Sequence, residues 1–488
     1  MFSNSECIVG RAAPLCGLAL PLFSTQATRA LELHAAAALP AHSLMQRAGL
    51  ALAQLTLAAA PHAKTVWIAC GPGNNGGDGF EAAMHLQGWG KRTVVSCLDH
   101  NGNLPADAAL SRTRALNAGV LISTDAPAQF DACIDALFGI GTLRPLEGVY
   151  AQWVSRMNHS GVPVIAADLP TGLHADTGVA AALHVQASHT LSLLTLKPGL
   201  FTANGRDACG EIWLNALGIA APADANACAN LNPAPPRAVR LHNSHKGSYG
   251  DVAIVGGDAG MAGAALLAGT AALHGGAGRV FVAGPGNAPP LSVDATQPEL
   301  MFRPFSTLAI NQMVVVAGCG GGEAMAQHLE ALLQQSARLV LDADALNVLA
   351  LEPHFQALLQ ARPAGSSVLT PHPLEAARLL HTSTQAVQAD RLKAAQNLAE
   401  RFACTVVLKG SGSVIAAPGR KPHINTTGNA RLATAGTGDV LAGLLGALLA
   451  TQPTAFSAAC AAVHWHGLRA DQWPATLRLT ASGLARAL

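Results

Sequence analysis

Short, largely apolar runs and longer runs with helical spacing alternate along this chain. Strand-length runs occur at Thr65–Cys70 and over 93–98, 132–137 and 162–168, with helix-like segments over 80–89, 105–118 and 150–159 between them. A run that is apolar at every position predicts a strand buried on both faces. Such strands alternating with helices predict a parallel sheet wound on both sides. The pattern breaks over 220–240, where Pro222, Pro233, Pro235 and Pro236 accumulate among alanine and asparagine. Beyond the break it resumes, with strands expected at Asp251–Val255, Arg279–Ala283, 313–317, 338–342, 367–370 and 405–409, and helices over 261–274 and 389–402. The chain is therefore expected to be α/β throughout. An N-terminal doubly wound domain is expected over 1–222, a linker over 223–236 and a C-terminal α/β domain over 237–488.

Composition adds limits. At 488 residues the chain exceeds one ordinary core, which agrees with two domains. Hydrophobic residues reach 50% but aromatics only 4%, so alanine and glycine supply the excess, as close helix-on-sheet packing requires. The net charge of +1 leaves no electrostatic footprint for nucleic acid, and no uninterrupted apolar run is long enough to span a membrane. Charged residues make up only 12%, so a homo-oligomer that covers a neutral surface is expected. The ten cysteines show no C-x-x-C pair and no histidine-rich metal spacing, so reduced thiols and a cytoplasmic setting are expected. The apolar stretch 12–23 contains Pro14 and Pro21, and an irregular N-terminal extension is expected there.

Candidate chemistry lies at the ends of the strands. Gly71-Pro-Gly-Asn-Asn-Gly-Gly-Asp-Gly79 directly follows Thr65–Cys70. Gly71, Gly73 and Gly76 satisfy the dinucleotide pattern G-x-G-x-x-G, with Asp99 ending the next strand. Asn74, Asn75 and Asp78, however, put polar side chains where a pyrophosphate loop wants small ones. Asp135-Ala-Leu-Phe-Gly-Ile-Gly141 and Asp168-Leu-Pro-Thr-Gly172 each place an aspartate at the carboxyl end of a strand, the edge where open parallel sheets bind ligands. Three aspartates converging there need a cation or a proton between them. The plainer alternative makes them helix caps and turn formers.

With Leu44-Met-Gln-Arg-Ala-Gly49 and Leu143-Arg-Pro145 added, these motifs resemble the epimerase domain of the bifunctional NAD(P)H-hydrate repair enzymes. The resemblance implies a Rossmann-like domain that interconverts the R and S hydrates of NADH and NADPH. It implies substrate contacts at Asn74, Asn75, Gly76, Gly77, Asp78, Gly139, Ile140, Gly141, Thr142, Leu143, Arg144, Pro145 and Asp168. It also implies a potassium ion (K+) at Asn75, Asp135 and Thr171, where threonine keeps the hydroxyl of the family's usual serine. Inverting a carbon that bears a hydroxyl and a ring nitrogen requires a positioned base, and Asp168 is assigned that role.

The C-terminal half carries six further motifs. They are His245-Lys-Gly-Ser-Tyr-Gly-Asp251, Val255-Gly-Gly-Asp-Ala-Gly260, Leu341-Asp-Ala-Asp-Ala-Leu-Asn347, Thr370-Pro-His-Pro-Leu-Glu375, Lys409-Gly-Ser-Gly-Ser413 and Asn429-Ala-Arg-Leu-Ala-Thr-Ala-Gly-Thr-Gly-Asp439. Gly436, Thr437 and Gly438 offer backbone N–H groups at the start of an apolar helix, an anion hole for a transferring phosphoryl group. Asp439 stands where it can take a proton from an attacking hydroxyl. Asp342 and Asp344 suit either indirect support of magnesium or helix capping.

In order and content these motifs are similar to the ribokinase-like superfamily and, within it, to the ADP-dependent NAD(P)H-hydrate dehydratases. The resemblance implies ADP as co-substrate at Lys409, Gly410, Ser411, Gly412, Ser413 and Gly438, with Mg2+ at the same site. The hydrate would touch Ala264, Gly320, His372 and the catalytic Asp439. Once phosphorylated, its hydroxyl leaves as phosphate, pushed by the ring nitrogen. Two departures from the family stand out. Gly318-Cys-Gly-Gly-Gly322 replaces Gly-Pro-Gly-Leu-Gly and is expected to expose a reactive thiol at Cys319. Leu374 replaces a glycine beside His372, excluding an easy left-handed backbone there.

Together the halves imply a metabolite-repair enzyme acting on the hydrates NADHX and NADPHX, first by epimerisation and then by dehydration of the S form as ADP becomes AMP and phosphate. A small-molecule kinase is one alternative, and a scaffold or RNA-binding role for the first domain is another. Asn75, Asp78, Asp135 and Asp168 argue against the scaffold, and the near-neutral charge against RNA. The residues alone leave ADP against ATP open.

Overall fold

The computed structural model describes residues 6–9, 19–98, 104–141, 145–220, 226–236, 240–286 and 291–488. Asp99, Thr142, Leu143, Arg144 and Pro222 lie outside the described residues, as does most of the 12–23 stretch. The chain forms two compact units, the first comprising Pro21–Ala229 with the strand Glu6–Val9, the second Asn230–Leu488 with the described residues 19–20. Among the described residues no helix is long and apolar enough to cross a membrane.

In the first unit an eight-stranded sheet runs in the order Leu121–Ser123, Arg92–Cys97, Thr65–Cys70, Ala132–Ala136, Val164–Ala167, His189–Leu193, Glu211–Asn215, Glu6–Val9. Neighbours are parallel except at the end, where Glu6–Val9 runs against Glu211–Asn215. From Thr65–Cys70 the chain steps outward to one edge, then returns and steps outward on the other side. The two directions of winding meet between Thr65–Cys70 and Ala132–Ala136, and there the departing loops turn apart and leave a crevice. Alternate residues of the first strand serve opposite faces. Val66, Ile68 and Cys70 share a core with Leu52, Phe80 and Leu86, whereas Trp67 and Ala69 share one with Trp153, Val154 and Met157. Both faces are covered, which is why the run is apolar from Val66 to Cys70. The following helix spans Asn74–Gly88 rather than starting at Phe80. Gly76, Gly77 and Gly79 hide its start from the sequence because glycine is a poor helix former, and burial overrides that preference.

The second unit repeats the scheme. Its strands lie in the order Met301–Phe302, Arg279–Ala283, Asp251–Val255, Val314–Ala317, Arg338–Leu341, Ser367–Leu369, Thr405–Leu408, Val414–Ala416, His423–Ile424, Ala229–Leu231. Pairing is parallel as far as Thr405–Leu408, then antiparallel through Val414–Ala416 to His423–Ile424. Ala229–Leu231, inside the proline-rich break, pairs parallel with His423–Ile424 and so is a strand. The winding reverses between Asp251–Val255 and Val314–Ala317. The helix Thr437–Thr451 crosses Ala262–His274 very closely: a Cβ on Gly443 would stand 2.0 Å from the Ala268 carbonyl oxygen. Small residues make that crossing.

Candidate active sites

The crevice of the first unit widens into a cavity of about 670 Å³ whose lining includes Asn74, Asn75, Asp78, Gly139, Ile140 and Asp168. Gly141 also lines it, Gly76 and Gly77 are buried in the adjoining helix, and Pro145 is exposed and takes no part in the lining. Gly76 has no room for a side chain, since a Cβ would stand 2.1 Å from the Gly71 carbonyl oxygen.

Asp135 is fully buried at the end of its strand. Its Oδ2 accepts from Thr171 N at 2.8 Å, and its Oδ1 from Thr171 Oγ1 at 2.7 Å and Leu137 N at 3.2 Å. Burial pushes its pKa up to about 6 in spite of these bonds. Among the described residues no cationic side chain bonds it. Asn75 is only 9% exposed and, among the described residues, its Nδ2 has no hydrogen-bond partner, so its amide can turn an oxygen toward an ion. A carboxylate, an amide oxygen and a hydroxyl make a hard, all-oxygen donor set. The residues present therefore fit a potassium ion.

Asp168 follows Val164–Ala167 with a φ of 65°, a left-handed backbone that residues other than glycine rarely take. Its Oδ1 accepts from Leu193 N at 3.0 Å and from the Lys197 ammonium. Lys197 is wholly buried and also donates to the Leu193 carbonyl at 2.8 Å. Nothing in the sequence motifs marks Lys197; its one signal is being the lone charge in the run 191–201. Glu32 and Arg29 on the helix Thr25–Ala38 also line the cavity and likewise belong to no motif. Arg29 donates to the Ile140 carbonyl at 2.9 Å. Burial, reinforced by Asp168, Glu32 and Glu81, holds Asp78 well above the ordinary carboxylate range.

In the second unit, Asp439 is the third residue of the helix Thr437–Thr451, which begins after Gly436. Burial pushes its pKa up to about 6, with Asp342 adding and the Cys319 thiol and Lys409 opposing. Cys319 is not the exposed, reactive thiol expected. It is fully buried and hydrogen-bonded to Asp439, and burial together with Asp439 and Asp342 drives its pKa well above the ordinary thiol value. Lys409 Nζ donates to Asp342 Oδ1 at 2.7 Å and lies 3.9 Å from Glu375 Oε2. Burial works against its ammonium, but the carboxylates outweigh burial and hold its pKa above the ordinary value. A Cβ on Gly438 would lie 3.6 Å from Lys409 Nζ, and one on Gly320 would lie 2.9 Å from the Ala264 Cβ. Ala264, Gly320, Asp342, Lys409, Gly438 and Asp439 thus gather around the second switch point.

His372 caps the helix Pro373–Leu380. Its Nδ1 accepts from Leu374 N at 3.1 Å and Glu375 N at 3.3 Å, and its Nε2 lies 3.3 Å from Glu375 Oε1. Leu374 sits inside that helix without a positive φ, so replacing the family's glycine costs no backbone strain. The loop holding Gly410, Ser411, Gly412 and Ser413 is supported by Arg391. This buried residue, which belongs to no motif, donates to the carbonyls of Leu408 at 3.3 Å and Lys409 at 3.2 Å. Asp344 Oδ2 accepts from Gly322 N at 2.9 Å and so holds the 318–322 loop.

Cys319, Asp342 and Asp439 bring their ligand atoms within 4.8 Å of one another. The thiol keeps its proton and Lys409 already bonds Asp342, so the trio suits proton handling better than a cation cage.

Residues 252–486 match the family model described as NAD(P)H-hydrate dehydratase, and residues 41–199 the one described as YjeF-related protein N-terminus. The chain is 35% identical over 453 residues to the bifunctional NAD(P)H-hydrate repair enzyme Nnr of Escherichia coli K12, across 88% of this chain and 85% of that protein. It is 44% identical over 238 residues to the ADP-dependent (S)-NAD(P)H-hydrate dehydratase of Neisseria meningitidis serogroup B, across 48% of this chain and 80% of that one. Among solved structures, the ADP/ATP-dependent NAD(P)H-hydrate dehydratase of Bacillus subtilis, co-crystallised with ATP and Mg2+, is similar at 29% identity with a TM-score of 0.43, across 51% of this chain and 91% of that one. A ribokinase-like superfamily protein of Enterococcus faecalis V583 is similar at 29% identity with a TM-score of 0.45, across 51% and 88%.

Proposed function

The chain belongs to the bifunctional NAD(P)H-hydrate repair enzymes, and from that premise we propose how its two sites divide the work. The first unit interconverts the R and S hydrates of NADH and NADPH. The second dehydrates the S form as ADP becomes AMP and phosphate.

In the first cavity the hydrated ring lies against Asn74, Asn75, Asp78 and the turn 139–141, where Asp168 takes the hydroxyl proton. Lys197 balances the Asp168 charge and fixes the direction of its carboxylate. Asn75, Asp135 and Thr171 would hold potassium, which would supply a fixed positive charge beside the buried Asp135.

In the second site ADP lies along the 409–413 loop and Gly438, with Mg2+ on its phosphates. Lys409 and the N–H groups of the helix start offset charge on the transferring phosphoryl group. Asp439 takes the proton of the attacking hydroxyl, and phosphate then departs. An assembly of several copies in the cytoplasm belongs to the same proposal, supported by a charged content of only 12%.

The observation that carries this reading is Asp439, a carboxyl with its pKa at about 6 beside Lys409 at a helix start. A base tuned close to the working pH is an efficient one. Incubating the protein with purified S hydrate, Mg2+ and ADP tests it. NADH, AMP and phosphate should appear in equal amounts, and Asp439→Asn should slow their release by roughly 10²–10⁴-fold. Accumulation of a stable phosphorylated product without NADH would instead favour the kinase reading.

A further inference from the structure

The helix Thr25–Ala38 precedes the matched residues 41–199, yet Thr28, Arg29, Glu32 and Ala36 form part of the cavity wall. Polar contacts hold it in place. Thr28 Oγ1 lies 2.7 Å from Thr195 Oγ1, Thr25 N donates to Asp176 Oδ1 at 2.7 Å, and Arg29 reaches the Ile140 carbonyl at 2.9 Å. Glu32, half-buried, thereby faces the cavity that holds Asp168 and Asp78. Asp168 is tied by Leu193 N and Lys197, whereas no hydrogen bond or ion pair among the described residues holds the Glu32 carboxyl.

Epimerisation at a carbon bearing a hydroxyl and a ring nitrogen needs two proton movements. A base takes the hydroxyl proton, a carbonyl forms as the carbon–nitrogen bond breaks, and the nitrogen gains a proton with the freed electron pair. Rotation about the neighbouring carbon–carbon bond presents the other carbonyl face. The nitrogen then re-adds and returns its proton, while the oxygen regains its own. Charges and protons balance with no further reactant. Asp168 fills the first role, and the donor to nitrogen is unassigned.

We propose that Glu32 is that donor, working across the cavity from Asp168; this rests on the epimerase reading of the cavity. Facing Glu32 are Asp168, Lys197 and Asp78, with Arg29 on its own helix and His42 and Asp107 further round the lining. Burial raises the Glu32 pKa, Asp168 adds to the rise, and Lys197 and Arg29 oppose it, so the group keeps its proton to higher pH than a surface glutamate does. One carboxyl tied to an ammonium and one left untied are set apart as base and acid. Asp78 also lines the cavity and is also raised, but it sits in the first turns of the helix Asn74–Gly88 and is the more buried of the two, whereas Glu32 stands on the wall formed by the helix Thr25–Ala38.

The test follows the full-length wild type, Glu32→Gln, Glu32→Asp and Asp78→Asn on purified R hydrate with ADP, Mg2+ and K+, at several pH values. Because the second unit takes only the S form, recovery of reduced-nicotinamide absorbance from R hydrate reports epimerisation. Recovery from S hydrate reports dehydration and intact protein. Glu32→Gln should slow recovery from R hydrate by roughly 10²–10⁴-fold, leave recovery from S hydrate unchanged and abolish the fall in rate at high pH. Glu32→Asp should keep that fall at a reduced rate. Retention of the wild-type pH profile and rate by Glu32→Gln would overturn the proposal, as would loss of the high-pH fall in Asp78→Asn alone. Wild-type protein that recovers the S form and never the R form would overturn the epimerase reading itself, a result visible without any variant.

Discussion

Asp168 and Asp439 carry the proposed chemistry in opposite surroundings. Asp168 is bonded to a wholly buried lysine, whereas Asp439 is crowded by Asp342 and relieved by the Cys319 thiol and Lys409. Removing Lys197 leaves a largely buried carboxylate without its partner. Lys197→Met should therefore lower stability by about 3–5 kcal/mol, as read from urea unfolding, and abolish epimerisation. The Cys319 hydrogen bond opposes the burial of Asp439, and the net pKa is about 6. Asp439 acts as a base, so dehydration fails as pH falls through that value. Cys319→Ala removes the lowering contact, and the acidic limb of kcat/KM for the S hydrate should move to higher pH; a limb that stays or moves down contradicts the role. Both aspartates were legible in the sequence because they sit in fixed glycine-rich turns. Lys197, Glu32 and Arg391 were not, because only the fold brings them to the sites.

Element by element, the central strands were legible because both their faces are buried. The strand His189–Leu193 is hidden in the sequence because Thr190 and Ser192 interrupt the apolar run. Both are buried, and they satisfy their hydroxyls on the carbonyls of Cys209 at 2.7 Å and Thr195 at 2.8 Å. The helix Asn74–Gly88 was read too short because its first turns are packed glycines. Those glycines make a test of how tightly the element is placed. In Gly76→Ala the new methyl would meet the Gly71 backbone at 2.1 Å, so the helix start must shift. Overpacking of this kind costs about 1–3 kcal/mol. Epimerisation should fall at least tenfold while S-hydrate dehydration is unchanged, and wild-type epimerisation in the variant would show the turn to be more forgiving than its packing suggests.

As a whole molecule the chain uses one winding scheme twice, and each candidate site lies where the winding reverses. The sequence showed the alternation but not the strand order, since order depends on which strands pair across long separations. Housing both activities in one chain suits a damage reaction that yields two epimers when dehydration takes only one. Potassium at Asn75, Asp135 and Thr171 should raise the melting temperature of the protein over lithium at equal ionic strength. About 1 kcal/mol of linkage corresponds to ~2–4 °C for a unit of this size, and Asn75→Ala should remove the difference. The two linked activities separate when the protein is given a mixture of R and S hydrates with ADP, Mg2+ and K+ and reduced-nicotinamide absorbance is followed. Wild type should recover all of it, and Asp168→Asn should stop once the S form is spent. Complete recovery by Asp168→Asn at the wild-type rate, or no recovery by wild type with either ADP or ATP, would contradict the account.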